Sequence, residues 1–137
     1  MADLTITSTS VIPGSTAKIA HGTAGATITA GQAVYLDSST GKWALADTDS
    51  ATAAVRAAHG VALNGCVLNQ PIAVCTAGPV TIGATIEAGV FYYLSGTAGG
   101  ICPVADVAAG DYPCVIGYGA STTVLQVDIT YSGVVKV

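Results

Sequence analysis

Residues 25–36 read GATITAGQAVYL and residues 83–94 read GATIEAGVFYYL, identical at eight of twelve positions with a constant offset of 58. The echo resumes after one inserted residue, where GKWALAD over 41–47 matches GICPVAD over 100–106 in outline. Each copy reads as a turn, a strand ending in Tyr-Leu, a glycine-containing turn and a return strand, which is the pattern of a β-hairpin. Ala30-Gly31 and Ala88-Gly89 suit the tight turn before each strand, because glycine reaches positive φ without steric cost. Two copies are too few for a solenoid, whose units are stable only in longer stacks. The repeat therefore predicts two related hairpins packed around one core.

The rest of the chain continues as strand and turn. Alternation of apolar and β-branched polar residues predicts strands at 4–7, 80–82 and 123–130, and short apolar runs predict them at 60–63, 66–68, 72–75 and 114–118. Residues 134–137 could add a terminal strand, and 18–25 are mixed and small. Only 47–59 could be helical. Asp49 or Ser50 could cap that stretch and ATAAVRAA contains good helix formers, but its apolar positions are nearly all alanine and would bury little, so a loop with one helical turn fits as well as a short helix. Many short strands with glycine-rich turns predict an all-β sandwich or barrel with at most one short helix.

At 137 residues the chain is one domain in size. Charged residues are 9% of it, against about 25% in an average soluble domain, while hydrophobic residues reach 51% and mean hydropathy is +0.63. A net charge of −4 has the wrong sign for a nucleic-acid binder, whose affinity comes mostly from neutralising phosphates. Residues 57–86 carry no Asp, Glu, Lys or Arg, yet Asn64, Asn69, Gln70, Pro71 and Pro79 interrupt them, so no stretch supplies the roughly 20 apolar residues of a membrane helix. The N-terminus, MADLTITSTSVIPG, has neither a basic nor an apolar signal region, and a soluble, non-secreted protein is expected. A greasy chain with so few charges must hide surface, so burial in an assembly is expected.

Little in the sequence points to catalysis. Cys66, Cys75, Cys102 and Cys114 lie at no zinc spacing and in apolar surroundings, which reads as small buried hydrophobes rather than a disulfide framework. Most of the acids sit in turns beside Gly or Ser, where Asp bonds the backbone. Asp47 and Asp106 occupy equivalent places in the repeat and could approach one another. His21 and His59 both occur in Ala-His-Gly, a turn or packing context. No Gly-x-Ser-x-Gly elbow or P-loop is present, and Asp47-Thr48-Asp49 lacks the further ligands of a calcium loop. Trp43 with Tyr92 and Tyr93 could make a sugar-stacking platform, although alternation would turn half of such residues inward.

The segments GTAGATITAGQAVYLDSSTGKWALAD, HGVALNG and VIGYGASTTVLQVDI, spread from about Gly22 to Ile129, resemble the small capsid decoration (cement) proteins of tailed bacteriophages. The resemblance implies a compact β-barrel-like domain of the β-tulip type over residues 25–137, and an extended N-terminal arm over 1–24. It implies homotrimers at three-fold and quasi-three-fold sites on the outer capsid surface of a virion, made in the host cytoplasm. The partners would be the major capsid protein and the protein itself, with no nucleic acid, membrane, metal or cofactor and no enzymatic activity. The arm is the candidate for strand addition to a capsid-protein edge, with Leu4, Ile6, Val11 and Ile12 as anchors. On that reading, deleting residues 1–12 abolishes shell binding and leaves folding unchanged. The same strand could instead complete the protein's own barrel. Another virion surface or fibre-base module, with glycan binding through Trp43 and the tyrosines, is the alternative function.

Overall fold

The computed structural model describes residues 3–103 and 106–136. It is all-β, an antiparallel sheet curled into a half-barrel, and the ten strands among the described residues are β1 (Val11–Pro13), β2 (Lys18–Thr23), β3 (Ala33–Asp37), β4 (Lys42–Leu45), β5 (Gly60–Ala62), β6 (Pro71–Ile82), β7 (Phe91–Leu94), β8 (Ile101–Pro103), β9 (Cys114–Gly119) and β10 (Val124–Tyr131). The helical expectation over 47–59 reduces to one turn, α1 (Ala53–Arg56), which has no side-chain cap; so short a helix has no stability of its own. No helix among the described residues is long and apolar enough to cross a membrane.

The organising element is β6. The sequence suggests two strands, at 72–75 and 80–82, but the chain runs through Thr76 to Pro79 as one strand of 12 residues. Its first half pairs with β2 and β5, and its second half with β1 and β10. Two sheets thus share one strand: β4-β3-β5-β6-β2, and β1-β6-β10-β9-β7-β8. The register of β2 on β6 shifts between Lys18 and Ile19, the mark of an extra residue in β6. A one-residue slip exchanges the faces of a strand. Accordingly Ile72 and Val74 lie in one apolar cluster, whereas Cys75, Val80 and Ile82 lie in the other. Gly78 carries the bend at φ +100°, and a Cβ there would lie 2.8 Å from Ala17 Cα.

The single core expected from the repeat is therefore two. The larger cluster collects residues from both sheets, among them Val11, Tyr35, Val61, Val80, Leu94, Ile116 and Leu125. The smaller lies on the other face of β3, β5 and the first half of β6, and packs Ile28, Val34, Trp43, Cys66, Ile72 and Val74. Strands β3 and β5 are consequently buried along most of their length without a polar face.

Both predicted hairpins form, at opposite ends of the strand order. Leu36 pairs with Trp43 and Leu94 with Ile101, so the offset of 58 persists into the return strands. The inserted residue inferred from the sequence is not there; the ladder matches Trp43, not Lys42, to Ile101. The hairpins meet where the second turn docks on the first hairpin. Ala33 N–H donates to Gly99 O at 2.9 Å, Gly99 N–H to Ala46 O at 2.7 Å, and Thr48 N–H to Ser95 O at 3.1 Å. Backbone hydrogen bonds from a loop, rather than a strand ladder, bring the sheet ends together.

The segment expected as an extended arm lies on the domain. Strands β1 and β2, which the sequence left unassigned or as a turn approach, pair along β6. Residues 4–7 keep the predicted alternation but form no strand; Leu4 N–H donates to Ile101 O and Thr7 N–H to Gly83 O, each at 2.8 Å, before a 3₁₀ turn at Ser8–Ser10. Leu4 and Ile6 pack on the larger core and Val11 belongs to it. The physical reason is simple: three apolar side chains gain more from their own core than from water. At the other end residues 134–136 make no strand, but Lys136 exchanges backbone bonds with Asp111 and Gly110.

Candidate functional site

The sequence-predicted site residues divide by burial. Of the four anchors, Leu4, Ile6 and Val11 are engaged by the chain's own core, and only Ile12 points away from it, 58% exposed. The proposed aromatic platform does not assemble. Trp43 is 5% exposed inside the smaller core, and Tyr92 is 4% exposed with its hydroxyl accepting Glu87 N–H at 3.0 Å. His59 has a structural task, since its Nδ1 accepts Leu36 N–H at 2.8 Å and continues the β3 ladder beyond β5. All four cysteines are buried and carry no disulfide. Burial pushes their thiols up, Cys102 to about 12 with help from Asp3, Asp106 and Asp111, which leaves them protonated and unreactive near neutral pH.

What the sequence did not single out is the outward face of the second sheet. The six strands β1, β6, β7, β8, β9 and β10 contain one charged residue, Asp128. Cross-strand register lines up Phe91, Tyr118, Gln126 and Pro79 in one row. Tyr93, Val115 and Thr130 form a second row, and Val124, Thr81 and Ile12 a third. Phe91 is 52% and Tyr118 37% exposed, and their rings meet edge to face with centroids 5.8 Å apart. Large side chains left half in water on a nearly charge-free sheet make a surface suited to another protein. The signal was present in the sequence as the apolar run at 91–94, but strand periodicity alone does not say which side of a hairpin faces solvent.

Two concavities open on the surface, and the larger shares Thr81 with this face. A groove of about 400 Å³ is lined by Thr5, Thr7, Ser10, Thr81, Thr85 and Thr123, and a smaller one of about 220 Å³ lies between Leu4, Ile6 and the two repeat turns. The first has no ionisable side chain in its lining and the second has Asp3 alone, hydrogen-bonded by Ser95 Oγ. Among the described residues no group of three or more His, Cys, Asp or Glu side chains is placed to hold a metal.

Among the described residues the one strongly perturbed carboxyl is Asp47. Burial, a hydrogen bond with Asp49 and the charges of Asp49 and Asp111 raise it from 3.8 to about 6. Its loop is pinned by Thr48, whose hydroxyl donates to Tyr112 O at 2.6 Å. The folded state thus holds the Asp47 proton more tightly than the unfolded chain does. Stability is then highest below about pH 4 as far as this group is concerned, and is lost as pH rises through about 6. Asp47→Asn removes that loss; with the group still partly open to water, a gain of about 1 kcal/mol at pH 7 is expected. Urea unfolding of both proteins at pH 5 and pH 7 checks it, with the two curves converging at the lower pH.

Compared with known protein families and with curated proteins, the chain matches none.

Proposed function

We propose that the protein is a virion decoration protein, which binds the outside of an assembled tailed-phage capsid as trimers and holds neighbouring capsomers together. The observation that carries this reading is the outward face of the second sheet, whose strands hold a single charged residue, Asp128, supported by the resemblance in the strand and turn segments. A protein that binds the assembled lattice and not its dissociated parts adds its binding free energy to the shell by linkage. Contacts to adjacent capsomers multiply through avidity, so each can be weak. Apolar contacts suit this role because salt does not screen them as it screens ion pairs. An acidic protein also belongs outside a shell filled with nucleic acid. The contact to the shell falls to the Ile12 end of the face, since Leu4, Ile6 and Val11 are held by the protein's own core.

Mixing the purified protein with undecorated tailed-phage capsids tests the proposal. Saturable binding at regular lattice sites is expected, and it survives about 1 M salt. Ile12→Asp weakens it at least about tenfold, which is the worth of one apolar side chain kept in contact. Absence of saturable binding, or binding that salt abolishes, rejects the proposal.

A further inference from the structure

We infer that copies of this chain associate head to tail, with the first repeat's turn and Leu36 of one copy seated on the exposed second-repeat face of the next. The inference rests on the trimer proposed above only for the number of copies in the closed ring.

The two repeats are equivalent in local structure and opposite in environment. The same offset of 58 that relates their sequences relates their ladders. On one side of the first repeat, Ala30, Ala33 and Tyr35 are all buried in the larger core. Their counterparts on the second repeat are Ala88, Phe91 and Tyr93, and these are exposed or half-exposed. The side buried in one copy of the repeat is bare in the other.

The partner of that side is also duplicated. Within the chain, the first repeat's side is covered by the second repeat: Leu94 is fully buried in the same core, and the turn at Gly99 sits between Ala33 and Ala46. The counterparts of Leu94 and Gly99 are Leu36 and Gly41. Leu36 is 41% exposed, and nothing lies within 4 Å of a Cβ built at Gly41, although both glycines are left-handed, at φ +71° and +76°. So one contact is made inside the chain, and both halves of an equivalent second contact stand open, one on each repeat. Two halves that both stand open within one chain can meet between two. In trans the contact is one of side chains, because Gly41 N–H is already bonded to Asp37 O at 2.7 Å. A contact between unlike patches is heterologous and closes into a ring when its rotation permits.

Sedimentation and crosslinking of the 137-residue chain test this. The wild type sediments as an oligomer, and Phe91→Asp converts it to monomer, whereas Leu68→Asp, on an exposed residue outside both repeats, leaves it assembled. In the chain, Gly99 lies against Gln32, so the equivalent neighbours in trans are residues 40–41 and Val90. Thr40→Cys and Val90→Cys proteins, mixed under mild oxidation, form a covalent dimer that neither forms alone. The native thiols are buried and protonated and do not compete. This second arm uses an intact Phe91, so it decides the matter even if the Asp variant misfolds. A wild type that stays monomeric at high concentration, an oligomer that survives Phe91→Asp, or no crosslink in the mixture overturns the inference. An oligomer that forms as described but binds no capsid overturns the decoration reading alone.

Discussion

Deleting residues 1–12 is expected to lower the unfolding free energy by at least about 3–6 kcal/mol, the worth of burying Val11 fully and Leu4 and Ile6 in part. The loss exceeds the apolar term, because the deletion also strips Val11 and Ile12 from the edge of β6 and leaves Ile101 O and Gly83 O without the amides that now bond them. For a domain whose total stability is about 5–15 kcal/mol, that is a large fraction. Urea denaturation with circular dichroism measures it. An unchanged midpoint would show that the segment hangs free, and would restore the extended arm that the sequence suggests.

Gly78→Val is expected to cost about 2–4 kcal/mol and to cost it in both sheets together. At φ +100° a β-branched residue is strained whatever the space around it, and here the Cβ also meets the backbone of Ala17. Relief requires β6 to straighten or β2 to move away, and either breaks a pairing. Thermal unfolding followed at Trp43 in one sheet and at near-ultraviolet tyrosine signals of the other should shift by the same amount. A variant in which only one probe shifts would mean that the sheets fold as separate units.

The fold class, both hairpins, the strands at β3, β4, β5, β7, β9 and β10, and the burial of the cysteines were legible in the sequence, because alternation and glycine-rich turns report local conformation directly. The continuity of β6 was not. Thr-Ala-Gly-Pro reads as a break by every local rule, and it is kept in the ladder only because β1, β2, β5 and β10 hold it from both sides. Strand β2 was missed for a related reason: Lys-Ile-Ala-His-Gly-Thr has no clean period, and its place is set by its partner. Helix propensity over 47–59 was overridden because Thr48 is drawn into the domain by Ser95 and Tyr112.

The candidate site was less legible. The four anchors share a sequence pattern, yet only Ile12 ends on the surface, since alternation identifies two faces without saying which one the core takes. The same ambiguity concealed the difference between the repeats. Tyr35 and Tyr93 are the same residue in the same motif, one inside and one at the boundary with water, and that distinction is a property of the whole chain rather than of twelve residues.

A strand gripped along both edges has a mechanical consequence. Pulling on the two sheets in opposite directions along β6 loads its flanking hydrogen bonds in parallel, so they must fail together rather than unzip one at a time. A particle coat built from such units would resist stretch through the polypeptide itself, with its seams, not its tiles, giving way first.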